Sequence, residues 1–227
     1  ASRTVFASTS LAARIERAES RLIEDSATAA GLVGFTLGWW IGSRGAMESS
    51  GPPCACGIWG SPVWSDEFDH GSVPDAGSWS YDLGDNGWGN QELQEYTRST
   101  DNARIEDGML VITAREILGE GSAKRFSSAR IRTQDKITFK YGTVEARIRV
   151  PDLADGLWPA FWLLGANHET VTWPKCGEID IMEYRGQDPN TVYGSLHGPG
   201  YSGGEAITGQ FDLANGRFDT AFHVFAV

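Results

Sequence analysis

From residue 62 onward, apolar and polar positions alternate with a period of two, and turn residues interrupt them at short intervals. Val144, Ala146, Ile148 and Val150 alternate with Glu145, Arg147 and Arg149, which predicts a strand with one buried and one wet face. Asp107-Gly108 separates residues 103–106 from residues 109–113 and predicts a two-residue hairpin turn. Residues 63–68, 88–96, 127–133, 136–150 and 222–227 also read as strands. In residues 157–164, Trp158, Ala160, Trp162 and Leu164 share one face, and Phe161 and Leu163 share the other. Both faces are apolar where a core needs only one. Short strands with turns between them predict a β-sandwich.

The first sixty residues follow another rhythm. Leu11, Ile15, Ala18 and Leu22 recur at helical spacing in a polar segment over residues 1–25. Residues 26–43 carry no charge and include Leu32, Val33, Phe35, Leu37, Trp39, Trp40 and Ile41. That length just suffices for a short membrane span, with Gly34, Gly38 and Gly42 as a small-residue stripe. The stretch reads as an export signal, a membrane anchor or a non-native stretch. The absence of net positive charge before it weighs against the first. Residues 43–61 are a linker with Pro52-Pro53 and two thiols, Cys54 and Cys56. The expected organisation is an N-terminal segment and linker over 1–61 and one domain over 62–227.

The densest chemistry lies in Gly177-Glu178-Ile179-Asp180-Ile181-Met182-Glu183-Tyr184. As a strand, this segment puts Glu178 and Asp180 on one face and Ile179 and Ile181 on the other. Glu183 rejoins the carboxylate face only if Met182 takes up a β-bulge. Hydrolysis of a glycosidic bond with retention uses two carboxyl groups roughly 5 Å apart, one as nucleophile and one as acid/base. Four strand rises separate the two Glu Cα positions by about 13 Å, a gap that two long side chains leaning inward on a concave sheet can close. Asp180 between them would hydrogen-bond one Glu and hold the pair's pKa values apart. A solvated acidic face would gain nothing from crowding three acids together. A calcium loop would show a Gly and an Asp/Asn alternation that are missing here. Cys176, two residues before Glu178, reads as a small packing residue, because neighbouring carboxylates disfavour a thiolate.

Glu-Ile-Asp-Ile-Met-Glu resembles the signature of glycoside hydrolase family 16, specifically its bacterial laminarinase-like endo-β-1,3-glucanases. Residues 158–164, 173–177 and 194–204 strengthen the resemblance, which runs from about Val63 to the last residue. It implies an all-β jelly roll, a concanavalin-like β-sandwich with a concave substrate cleft. It implies a retaining endo-β-glucanase acting on β-1,3-glucan such as laminarin or on mixed-linkage β-1,3-1,4-glucan. A non-catalytic glucan-binding module and a transglycosylase are the alternatives. By the resemblance Glu178 is the nucleophile, Glu183 the acid/base and Asp180 the assisting carboxylate. Asn90, Arg130 and His197 become substrate-binding positions, each with a plain structural alternative: turn Asn, surface Arg, structural His. Trp158, Trp162 and Trp173 are candidate platforms for the apolar faces of sugar rings.

The family's structural calcium would use a residue like Glu67 and a carbonyl such as that of Gly108, although its usual C-terminal Asp has no counterpart here. Family 16 domains also continue with further strands where residues 222–227 stop, so C-terminal strands are expected to be missing. The net charge of −11 argues against nucleic acid and anionic membrane as partners and suits a neutral polymer. Membrane contact is expected only through an N-terminal anchor. Nine Trp and 28 Gly suit a turn-rich β protein with an aromatic surface. Three Cys allow at most one intrachain disulfide. The expected protein is a secreted or extracytoplasmic monomer whose chemistry uses no cofactor.

Overall fold

The computed structural model describes residues 9–16, 34–37, 62–118, 124–152 and 156–227. Among them nearly everything is strand or turn, and the helical content is one 3-10 turn at Gly203–Glu205. One sheet runs in the order β6 (Ala103–Ile105), β7 (Leu110–Ile112), β1 (Thr9–Glu16), β11 (Thr143–Arg149) and β16 (His223–Ala226), with β3 (Pro62–Asp66) also paired to β1. The second runs β4 (Ser80–Asp82), β10 (Arg130–Arg132), β2 (Gly34–Leu37), β12 (Ala160–Leu164), β13 (Glu178–Tyr184), β14 (Thr191–His197) and β15 (Ile207–Asp212). A third, small sheet joins β5 (Gln94–Tyr96), β9 (Lys124–Ser128) and β8 (Arg115–Leu118), with β5 and β9 parallel.

The two large sheets pack face to face as a β-sandwich of jelly-roll type. Val144, Ala146, Ile148, Leu110 and Ile112 on one side meet Ile131, Phe161, Leu163, Met182 and Tyr184 on the other in a single buried cluster. Burial of such side chains, each worth about 1.5–3 kcal/mol, fixes which face of β13 turns away from the core. The predicted period of two in β11 holds, with Val144, Ala146, Ile148 and Val150 all at 1% exposure or less. The hairpin also forms as expected. Asp107 and Gly108 both have positive φ (53° and 68°), and the Glu106 N–H donates to the Met109 carbonyl at 2.8 Å, the geometry of a type I′ turn.

Other elements depart from expectation. Leu11 and Ile15, spaced for a helix, lie in strand β1. The same two residues with Ala13 also fit a period of two, and backbone pairing with β11, β3 and β7 decides between the readings. Ala18 and Leu22 lie outside the described residues. Gly34–Leu37, inside the apolar stretch, is a strand between β12 and β10. The rest of that stretch lies outside the described residues, as do Cys54 and Cys56. Among the described residues no helix is long and apolar enough to cross a membrane.

Residues 88–93 form turns instead of a strand. Gly87, Trp88, Gly89 and Gln91 all take positive φ, so pairing begins only at Gln94. Residues 136–142 are likewise a turn, with the Lys136 and Ile137 N–H groups donating to the Thr133 carbonyl. β15 forms beyond the glycine-rich loop, where no strand was expected.

Candidate active site

A bulge is present on β13, but the residue it leaves over against β12 is Ile181 and not the expected Met182. Across to β12, Asp180 pairs with Trp162 and Met182 with Phe161, which leaves Ile181 without a partner. Across to β14, Asp180 pairs with Ser195 and Glu183 with Tyr193, so Ile181 and Met182 oppose Gly194 alone. A Cβ on Gly194 would lie 3.2 Å from the Asp180 carbonyl oxygen, a tight contact that would press on the bulge. The extra residue re-aims Glu183. Glu178, Asp180 and Glu183 now line one cleft, while Met182 and Tyr184 are fully buried behind them.

The start of β13 is placed by backbone contact. Gly177, at φ 81°, donates its N–H to the Pro174 carbonyl. Its own carbonyl accepts from the Gly165 N–H at 3.0 Å, and a Cβ on Gly165 would fall 2.0 Å from the Cys176 oxygen. At the other end the Tyr184 and Gly186 N–H groups donate to the Pro159 and Leu157 carbonyls. That pairing sets Trp158 beside Glu183, and the indole Nε1–H donates to Glu183 Oε1 at 2.7 Å.

The cleft has a volume of about 820 Å³. Every substrate-binding position expected from the sequence lines it: Asn90, Arg130, Trp158, Trp162, Trp173 and His197. Trp173 is 47% exposed and lies with its ring 5.8 Å from that of His197. Arg130 lies between two indoles, 4.7 Å from the ring centres of Trp88 and Trp162. Asn90 donates to Glu92 Oε1 at 3.3 Å, so its amide already has a partner within the protein.

Sequence reasoning missed Trp88, Glu92, Tyr96, Arg185 and Tyr193, which also line the cleft. Glu92, Gln94 and Tyr96 recur with a period of two, a signal that was available. Their hydrogen bonds show why they group: Gln94 Nε2 and the Tyr96 hydroxyl donate to Glu92 Oε2 at 2.7 and 2.8 Å. Arg185 and Tyr193, which stack at 4.6 Å, had no local signal.

The electrostatics of β13 follow from burial. Desolvation pushes Glu178 up to about 7, with the crowding of Glu183 adding to it and Arg130 and Trp173 opposing it. Asp180 is pushed up to about 9 by burial and then by the charges of Glu178 and Glu183. Glu183 is also raised by burial, against the Trp158 hydrogen bond and Arg185. His197 holds the centre of the row. Its Nδ1 accepts the Gly203 N–H at 3.1 Å, so the ring proton sits on Nε2 and is donated to Asp180 Oδ2 at 2.9 Å. Burial lowers the imidazole's pKa and favours this neutral form.

Glu178, Asp180 and His197 each bring a ligand-type atom within 4.8 Å of the others. With Nε2 protonated, however, they form a hydrogen-bonded carboxylate–imidazole row and not a metal ligand set. Glu67, by contrast, is exposed beyond β3 and belongs to no such cluster among the described residues. A cation bound there would take most of its oxygens from backbone and water.

The site is thus a strand carrying three closely spaced carboxyls on the floor of an aromatic cleft, in a jelly-roll sandwich. Residues 90–227 match the family model for glycosyl hydrolases family 16, and the chain belongs to that family. It is 44% identical over 170 residues to a β-glucanase from Rhodothermus marinus, covering 73% of this chain and 58% of that protein. It is 45% identical over 170 residues to a glucan endo-1,3-β-glucosidase from Cryptopygus antarcticus, covering 72% and 61%. Among solved structures, the laminarinase catalytic domain from Thermotoga maritima superposes with a TM-score of 0.66 at 45% identity, covering 72% of this chain and 68% of that one. The endo-β-1,3-glucanase from Pyrococcus furiosus gives 0.66 at 44%, covering 72% and 65%. The chain thus spans about three fifths of the length of the two curated relatives.

Proposed function

We propose that this protein is an endo-acting, retaining β-glucanase that hydrolyses β-1,3-glucan first and mixed-linkage β-1,3-1,4-glucan second. The observation that carries the reading is the bulge. It brings Glu183 onto the face of Glu178 and Asp180, in a cleft whose indoles suit the apolar faces of glucosyl rings. Glu178 is the nucleophile. Its carboxylate oxygen forms a bond to the anomeric carbon as the bond to the leaving oxygen breaks, and Glu183 gives that oxygen its proton. Water then attacks the glycosyl ester, Glu183 takes the proton back, and Glu178 leaves, with net retention.

Trp158 orients Glu183 for both steps. Asp180, kept protonated and fixed through Oδ2 by His197, has its other oxygen available to donate toward Glu178. That hydrogen bond helps the carboxylate leave the ester. Two carboxyls and a water suffice, and no cofactor enters the chemistry.

The names of the relatives support the substrate class: glucan endo-1,3-β-glucosidase, and laminarinase. A β-1,3-glucan-binding protein from Penaeus monodon, 36% identical over 108 residues, motivates binding without cleavage as the second reading. Proton NMR of laminarin with the purified chain separates the two. Initial release of β-anomer ends supports the glucanase. Glucan affinity without new reducing ends supports the binding module, and transfer products with little net hydrolysis support a transglycosylase.

A polymer of this size does not cross membranes, so a secreted or extracytoplasmic location belongs to the same proposal, checked by cell fractionation. So does a monomeric state, checked by sedimentation. A structural calcium at Glu67 and the Gly108 carbonyl rests on the family resemblance. Calcium should then raise the melting temperature, and Glu67→Ala should remove that rise.

A further inference from the structure

Asp82 is 7% exposed, at the end of edge strand β4. In the β4–β10 register it stands directly across from Arg130. Arg130 Nε donates to Asp82 Oδ2 at 2.9 Å. Arg132 Nε lies 3.0 Å from Oδ1, close enough to pair though poorly aligned for a hydrogen bond. Beyond this anchor the Arg130 guanidinium is held between the Trp88 and Trp162 rings, 4.7 Å from each. From that slot its charge acts on two cleft carboxyls, Glu178 and Glu92.

We propose that Asp82 is a positioning residue of the cleft. It holds Arg130 flat between Trp88 and Trp162, and so sets both the spacing of those two cleft-lining indoles and the positive charge that Glu178 meets. This deepens the reading of Glu178 as nucleophile and rests on it.

An ordinary cross-strand ion pair would have the same distances, so the two roles must be told apart by sign. If Asp82 only neutralises Arg130, deleting the anion leaves the cation stacked and more effective, and Glu178 titrates lower. If Asp82 positions Arg130, deleting the anchor lets the guanidinium swing to water, and Glu178 titrates higher. The other groups facing Glu178 stay in place. They are Asp180 and Glu183 on β13, His197 from β14 with Nε2 3.7 Å from Oε1, and Trp173 and Cys176 in the preceding loop. Around Arg130 the remaining charges are Glu92 and Arg132.

The test is a carboxyl ¹³C NMR titration of Glu178, assigned against Glu178→Gln, in the full chain and its variants. Asp82→Ala is expected to raise the Glu178 midpoint by about 0.5–1 unit, as loss of a nearby cation does. Arg130→Met should do the same, and the double variant should add nothing further. Asp82→Asn keeps an oxygen that accepts from Nε, so it should leave the midpoint at or slightly below that of the parent.

Intrinsic fluorescence should follow the same split, changed in Asp82→Ala and retained in Asp82→Asn. Should the Ala variant fail to melt cooperatively, Asp82→Val, a strand former without an acceptor, carries the same expectation. An unchanged or lowered midpoint on loss of the acceptor, or a raised one in Asp82→Asn, overturns the proposal. The titrations need no turnover, so their failure is distinct from a failure of the parent to cleave laminarin. Where cleavage occurs, KM and the acid limb of kcat/KM should rise together in Asp82→Ala and not in Asp82→Asn.

Discussion

Asp82 and Glu92 at one end of the cleft are as buried as Asp180 on its floor, at 7%, 8% and 8% exposure, yet their surroundings are opposite. Asp82 faces two guanidinium groups. Glu92 accepts from an amide of Asn90, an amide of Gln94 and the Tyr96 hydroxyl, and its remaining upward shift comes from burial alone. Asp180 has the single imidazole donor, and the charges nearest it are two more carboxyls. Acids that hold the framework are compensated. Acids on β13 are left mostly to each other, which is destabilising and has no structural use. Such crowding is the pattern expected of groups that exchange protons with a substrate, and it supports the roles proposed for Glu178 and Glu183.

The contrast can be broken most severely at the glutamates. Glu178→Gln or Glu183→Gln should lower hydrolysis of laminarin by about 10⁴-fold or more while leaving the melting temperature level or higher. A variant that keeps the parent rate would sink the assignment.

The next effect is one of opposite signs. Glu92→Gln presents an amide N–H₂ to groups that now donate to a carboxylate, and should cost about 1–3 kcal/mol of stability. Asp180→Asn should stabilise. The Asp180 carboxyl titrates near 3.8 in the unfolded chain and is raised to about 9 in the fold. Below pH 4 both states hold the proton and nothing is lost. As pH rises toward 9 the unfolded chain ionises freely and the folded one does not, so stability falls. The gain from Asp180→Asn should therefore be larger at pH 8 than at pH 4, by about 2–4 °C in melting temperature for each kcal/mol recovered. Thermal melts at the two pH values check it.

A smaller effect is expected at Trp158. Trp158→Phe keeps the ring and removes the donor that favours ionised Glu183. The Glu183 pKa should rise, and the alkaline limb of kcat/KM should move up by about half a pH unit. A downward move would mean that the indole acts on Glu183 in some other way. The smallest effect is expected at Cys176, whose thiol is buried and pushed up by desolvation and by Glu178. Cys176→Ser should keep hydrolysis within about twofold, which excludes a nucleophilic role.

What was legible in the sequence tracks how local its cause is. The type I′ hairpin, the alternation of β11 and the carboxylate face of β13 depend on residues two to five apart, and each formed as read. The segment over residues 88–93 looked like the start of a strand because it is entered by a glycine and rich in side-chain amides. Positive φ at Trp88 and Gln91 made it a turn that delivers Trp88, Asn90 and Glu92 to the cleft. Leu11 and Ile15 fitted two periods at once, and only the partners offered by β7 and β11 chose between them.

The sequence by itself determined that Glu178 and Asp180 share a face, that a bulge is required for Glu183 to join them, and that indoles cluster nearby. Those facts follow from strand periodicity and side-chain chemistry, which need no distant partner. The tertiary structure alone decided where the bulge falls, because that is set by the register of β13 against β12 and β14. It also decided the tautomer of His197, which is set by a loop amide six residues on. And it decided which buried acids are compensated, because Asp82 meets Arg130 48 residues away and burial is a property of the packed sheets. Charge and protonation in the cleft are long-range quantities, and no window of the sequence contains them.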